Sequence, residues 1–110
     1  MATVVVLDKA QMGSGNDELG RKILQTFLRK AATITDLEAL LLFNGGVQLA
    51  TKDSFVAAEL MLLHERGVDI LVCGTCVEFF GLRGKLLLDP PSNMDAIVSA
   101  MNRAGKVITI

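Results

Sequence analysis

The two cysteines of this sequence stand three residues apart, as Cys73-Gly74-Thr75-Cys76. An apolar run, Ile70-Leu71-Val72, leads into them, and Val77-Glu78-Phe79-Phe80 follows. The pair therefore falls where a buried strand gives way to a short helix, expected over Cys76 to Phe80. Free backbone N–H groups and the positive end of a helix dipole favour a thiolate at such a junction. Thiolate is the nucleophilic form of cysteine, so Cys76 has the setting of a reactive sulfur. Cys73, nearer the strand end, would close a local disulfide with it, or resolve a persulfide or mixed disulfide formed on it.

Three chemistries use such a pair. Dithiol exchange of the thioredoxin type is one, although its CxxC belongs to a differently arranged fold and here the motif follows the third strand. Zinc is the second, and it needs about four ligands. The chain offers two Cys and the single His64, so carboxylates or a second subunit would have to complete the set, and neither a metal nor a cofactor is expected. Sulfur transfer is the third, with one thiolate carrying a terminal sulfur as a persulfide. A purely structural role stands beside all three, because free cysteine is among the most buried residue types. His64 reads as a surface residue near the carboxyl end of a helix, where its charge meets the dipole, rather than as a base. No Ser-His-Asp or paired-carboxylate constellation stands out.

Two further loops carry marked sequence. Gly13-Ser14-Gly15-Asn16 precedes a helix and has the look of an anion cradle. It is neither a Walker A loop nor GxGxxG, since no Lys-Ser/Thr pair follows and the glycine spacing differs. Its plain alternative is a flexible lead-in to the helix. Asn44-Gly45-Gly46 marks backbone expected at positive φ, and the Asn44 amide either orients a ligand or bonds the neighbouring loop. The residues expected to border a substrate pocket are Gly13, Ser14, Asn16, Asn44, Gly74 and Thr75, around a reactive Cys76 with Cys73 beside it.

Short apolar runs and longer periodic ones alternate along the chain, and they would position these loops. Strands are expected at Thr3 to Leu7, Ala39 to Phe43, Asp69 to Cys73, Leu86 to Leu88 and Val107 to Ile110. Continuous apolar runs without alternation suit strands buried on both faces of a parallel sheet. A helix with the stripe Leu19, Ile23, Phe27 and Ala31, flanked by Leu24 and Leu28, follows the first strand, with Ser14 and Asp17 at capping-box spacing. A second runs from Ser54 to Arg66, with Asp53 as its cap and Gly67 as its stop. A third begins near Ser92-Asn93-Met94-Asp95, carries Met94, Ile97, Val98 and Met101, and ends at Gly105. The alternation implies an α/β three-layer sandwich around a mainly parallel five-stranded sheet, flavodoxin-like or Rossmann-like, with right-handed crossovers. In such sheets ligands bind beyond the carboxyl ends of the strands. All three marked loops lie there.

The chain has 110 residues, which makes one domain spanning 1–110. It is 51% hydrophobic, so it folds around a core rather than remaining disordered. Eleven basic and 12 acidic side chains leave a net charge of −1, which excludes a strong electrostatic hold on nucleic acid or anionic lipid. There is no Trp or Tyr, and the five Phe do not interleave with basic residues, so no base-stacking platform is expected. No run approaches the roughly 18 apolar residues of a membrane span. The first apolar run is short and lacks a preceding basic region, so a reducing cytoplasm is the expected compartment. The second helix is apolar nearly all round, at Phe55, Val56, Ala57, Ala58, Leu60, Met61, Leu62 and Leu63. It is either buried on two sides or part of a homo-oligomer contact, and the latter is expected.

Taken together the loops resemble the DsrE-like domain, and most closely its version in the C-terminal half of YedF-type proteins, associated with sulfur or selenium metabolism. The residues that carry the resemblance are Gly13-Ser14-Gly15 with Leu19-Gly20, Asn44 to Leu49, Gly67 to Leu71, Cys73-Gly74-Thr75-Cys76 with Phe80-Gly81-Leu82, and Asn93-Met94. The family implies a flavodoxin-like fold, usually assembled into oligomers. In its sulfur-relay subunits a cysteine accepts sulfane sulfur from a small carrier protein, opening a helix as a Cys-Val pair with an Arg-Gly shortly after. Cys76-Val77 and Arg83-Gly84 match that pattern approximately. The resemblance therefore implies that Cys76 carries sulfur, while Cys73 is a cysteine the relay subunits need not share. YedF-type proteins add an N-terminal carrier-like domain that this sequence does not contain, so either a separate sulfur-carrier protein is the donor or the domain serves another role.

The expected function is that of a cytoplasmic sulfur-relay homo-oligomer, a possible sulfurtransferase, accepting and passing sulfane sulfur or selenium on Cys76. Two rivals remain: a non-enzymatic module of the same fold that binds a small ligand or partner, and a dithiol redox protein using Cys73 and Cys76.

Overall fold

Thr3–Leu7, the β-branched run Thr-Val-Val-Val-Leu, forms strand β1, and all five of its residues are buried. The computed structural model describes residues 1–110. Four strands make one sheet in the order β3-β2-β1-β4, with β2 at Leu37–Leu42, β3 at Asp69–Val72 and β4 at Lys106–Thr109. Every pairing is parallel: Val4 lies opposite Ala39 on one side and Val107 on the other, and Leu40 lies opposite Ile70. The apolar runs of β1 and β2 thus fill the centre of the sheet, as continuous runs in parallel sheets do. The edge strands are more exposed: only Val72 of β3 is buried, and Val107 of β4 is 45% exposed.

The sheet has four strands where the sequence predicts five. Leu86 is buried in the core, but its only β-pairing is a single antiparallel bridge to Thr51, supported by Leu87 N–H to Ala50 O at 2.8 Å. The Leu86 to Leu88 segment lies across the connection after β2, outside the sheet. Pro90 and Pro91 follow it closely, and proline has no N–H to give a ladder.

Helix α1 spans Asp17–Lys30. Its cap is Asn16, whose side chain accepts the Leu19 N–H at 2.9 Å, rather than Ser14. Asp17 and Glu18 in the first turn and Arg29 and Lys30 in the last complement its dipole. The buried line on α1 is Gly20, Leu24 and Leu28, continued by Ala31, while Leu19 and Ile23 are exposed. The buried stripe is rotated by one residue from the predicted one. Gly20 explains the rotation: a Cβ there would lie 2.9 Å from Gln11 Cβ, so the helix approaches the loop after β1 at its smallest residue.

Helix α2 covers Ala57–Glu65, shorter at both ends than predicted and without a side-chain cap. Ser54 Oγ instead accepts the Val56 N–H just before it. Leu60 and Leu63 are buried, whereas Leu62 is 59% exposed. A short helix α3 occupies Gly74–Phe79, and α4 occupies Met94–Arg103, capped by Asn93 through the Ala96 N–H. Helices α1 and α2 pack together. Right-handed crossovers set them on one face of the sheet and α4 on the other. No helix is long and apolar enough to cross a membrane.

Candidate functional site

The connections after β1, β2 and β3 lie side by side at the carboxyl ends of their strands. After β2 the chain turns at Phe43 and forms a 3₁₀ stretch over Asn44–Ala50. This stretch rests directly on the end of β1. A Cβ on Gly46 would fall 1.9 Å from Leu7 O, and one on Gly45 would lie 3.4 Å from Lys9 Cα. The positive φ predicted for the Asn44-Gly45-Gly46 turn is taken by Asn44 itself, at 49°. Asn is one of the few side-chain-bearing residues that adopt it readily. The two glycines serve close approach instead.

The third connection is fixed from both sides. Cys73 N–H donates to Leu42 O at 2.9 Å, which ties it to β2. Gly74 N–H donates to Ser92 O at 3.0 Å, and Ser92 N–H returns a 2.7 Å bond to Val72 O. Ser92 thus extends the edge of β3 by one bridge and covers Gly74, where a Cβ would sit 2.8 Å from Ser92 O. Ser92 appears in the sequence only as a helix-start residue. Its part in the floor of this loop had no local signal, because it depends on the return of the chain after Pro91.

Cys73 is the cap of α3 and is buried, 2% exposed. Cys76 is the third helical residue and is partly buried against the core. Its Sγ accepts the Asn44 main-chain N–H at 3.1 Å. The sequence marks Asn44, but for its side-chain amide. The group that meets the sulfur is the backbone N–H, aimed there by the left-handed turn.

The thiol of Cys76 stands above the ordinary cysteine range, contrary to the lowered value expected at a helix start. Burial is the main cause, since it disfavours the charged form. The Asn44 N–H pulls in the opposite direction by favouring thiolate. The neighbouring Cys73 thiol pushes upward again, by favouring the neutral form and through its own charge when ionised. Helix α3 has only six residues, and its dipole does not reverse this balance.

Of the six residues predicted to border a pocket, Asn44, Gly74 and Thr75 stand at Cys76. Gly13, Ser14 and Asn16 lie on the exposed loop after β1, where Asn16 is engaged as the cap of α1. Gly13 and Gly15 have φ of +78° and +132°, with nothing near the positions their Cβ atoms would take. A cavity of about 480 Å³ opens beside α3, bordered by Gly74, Val77, Glu78, Arg83 and Leu86 among others. Glu78 and Arg83 pair across its rim. Cys76 does not line it. His64 is exposed near the end of α2, and no cluster of three or more His, Cys, Asp or Glu side chains gathers around the cysteines.

Residues 1–110 match the family model of the DsrE/DsrF-like family. The chain belongs to the DsrE/DsrF-like family. Its fold is similar to that of the YchN protein from E. coli, with a TM-score of 0.73 and 22% identity over 99% of this chain and 98% of that one. It is likewise similar to MTH1491, a protein of unknown function from Methanobacterium thermoautotrophicum, with a TM-score of 0.71 and 20% identity over the same shares. No curated protein matches the chain. At these identities the two structures establish the DsrE-like fold, and the chemistry rests on the residues of this chain.

Proposed function

We propose that this DsrE/DsrF-like domain is a sulfur-relay protein that accepts sulfane sulfur on Cys76 as a persulfide and passes it on. The observation that carries the reading is the Asn44 N–H directed at Cys76 Sγ at 3.1 Å, on a cysteine that is only partly buried. An acceptor thiol that attacks the outer sulfur of the persulfide expels Cys76 as thiolate, and a main-chain donor already in place stabilises that charge without reorganisation. The burial that raises the thiol suits a carrier that reacts only with an activated sulfur donor rather than with every electrophile. The donor is a sulfur-carrier protein; selenium in place of sulfur is served by the same geometry. Exposed Leu62 and Phe55 around α2 support assembly into a homo-oligomer, and a monomer in sedimentation velocity would end that part of the proposal.

The test is intact-protein mass spectrometry after incubation with a persulfide donor. The wild-type chain and Cys73→Ser gain one sulfur; Cys76→Ser gains none. Full acceptance by Cys76→Ser would refute the assignment. A second reading, a small-ligand or partner-binding module, draws on the cavity of about 480 Å³ beside Gly74. It predicts ligand binding that survives replacement of both cysteines by alanine.

A further inference from the structure

Cys73 caps α3 through its backbone alone, since its side chain makes no hydrogen bond to a first-turn N–H. Across a first turn the side chains of the cap and of the third helical residue each reach toward the other residue's main chain, so the two lie side by side. Here both are thiols, one helical turn apart, and Cys73 is near enough to act on the ionisation of Cys76. They differ in access. Cys76 is partly exposed, while Cys73 is 2% exposed, with its backbone bonded to Leu42 and bridged to Ser92. Sulfur delivered from outside therefore arrives on Cys76. Cys76 Sγ becomes the inner sulfur once a persulfide has formed, one helical turn from Cys73.

We infer that the buried Cys73 gives the chain a second activity, reductive release of the carried sulfur as hydrosulfide. This rests on the reading of Cys76 as the sulfur acceptor. In loading, the Cys76 thiolate attacks the terminal sulfur of a persulfide R–S–SH. A Cys76 S–S bond forms, and R–S⁻ leaves and is protonated to the thiol. In release, Cys73 Sγ attacks Cys76 Sγ. The Cys73–Cys76 disulfide forms, the bond to the outer sulfur breaks, and its electron pair leaves with HS⁻, which takes up the proton that Cys73 gives up. The dithiol is oxidised by two electrons and the sulfane sulfur is reduced to sulfide. A dithiol reductant restores the pair for another cycle. Hand-off and release compete for one persulfide: an acceptor thiol takes the outer sulfur, and in its absence Cys73 takes the inner one.

The experiment loads wild type, Cys73→Ser, Cys73→Ala and Cys76→Ser with glutathione persulfide without oxygen. Each is desalted into thiol-free buffer, and intact mass and free sulfide are followed. The expected result is that both Cys73 variants keep one added sulfur. Wild type loses it at least tenfold faster, ends two hydrogens lighter than the reduced chain, and yields one sulfide per chain. Added sulfur that persists on wild type as long as on the Cys73 variants overturns the release activity and leaves the relay reading standing. Absence of added sulfur from both Cys73 variants overturns the relay reading, and the release activity with it.

Discussion

Gly13 and Gly15 follow β1, and Gly74 follows β3; both loops lead into a helix at the same end of the sheet. Gly13 and Gly15 have positive φ and open space around them. They are glycines because of how the backbone turns. Gly74 has ordinary φ and the Ser92 carbonyl where its Cβ would be. It is glycine because another strand of chain lies on it. The same division holds within the connection after β2, where Asn44 takes the positive φ and Gly46 takes the close contact. The difference separates a loop shaped by its own torsions from loops held by their neighbours. Cys76 sits among the held ones, with one main-chain donor already aimed at it. A preorganised group of that kind is what stabilisation of a developing charge requires.

Adding a methyl group to each loop breaks the comparison or sharpens it. Gly46→Ala is expected to have the largest effect. Its Cβ would meet Leu7 O in the central strand, neither side can yield without moving β1, and a loss above about 3 kcal/mol follows. Thermal unfolding should fall by more than about 10 °C, at about 4 °C per kcal/mol for a domain near this size. Gly74→Ala should cost less, about 1–3 kcal/mol, because Ser92 belongs to a connection rather than a strand; it should also slow alkylation of Cys76 by displacing α3. A Gly74→Ala chain as stable and as reactive as wild type would mean that Ser92 does not hold the loop.

Gly13→Ala is the opposite case. It has room for the methyl and pays only in torsion, about 1 kcal/mol for a left-handed φ. The expected result is a Tm lower by about 4 °C with Cys76 reactivity unchanged. A tenfold change in Cys76 alkylation would instead join the first loop to the cysteine site, as the sequence alone suggests.

What was legible in the sequence divides along the same line. Strand β1 is read to the residue, because a β-branched Thr3 followed by four apolar positions in a row has no helical or surface use. The order of strands and helices and the Cys73–Cys76 junction are local patterns, and they are legible too. The missing fifth strand is a run of three leucines whose backbone pairs with Thr51 and Ala50 rather than with a sheet neighbour. Composition does not distinguish the two. The rotated stripe of α1 depends on where Gly20 meets Gln11. The raised thiol of Cys76 depends on how far its side chain is covered, and a helix-start pattern carries the dipole but not the burial.

The smallest expected effect bears most on the chemistry. Asn44 is exposed, has φ of 49°, and meets Cys76 through its main-chain N–H. Glycine adopts that φ without a Cβ clash and keeps the N–H, so Asn44→Gly should leave stability within about 0.5 kcal/mol of wild type. Asn44→Ala keeps the N–H but takes on the left-handed strain, about 1 kcal/mol. If the backbone donor is what Cys76 uses, both variants accept sulfur at the wild-type rate, and the pH midpoint of Cys76 alkylation stays where it is. The sign is fixed by the balance at the sulfur. The N–H is the one influence that lowers the thiol's pKa, so losing it would move the midpoint up and slow the reaction at neutral pH. A tenfold loss of acceptance in Asn44→Gly, with the fold intact, would transfer the role to the side-chain amide. The left-handed turn would then serve to present that amide rather than the N–H.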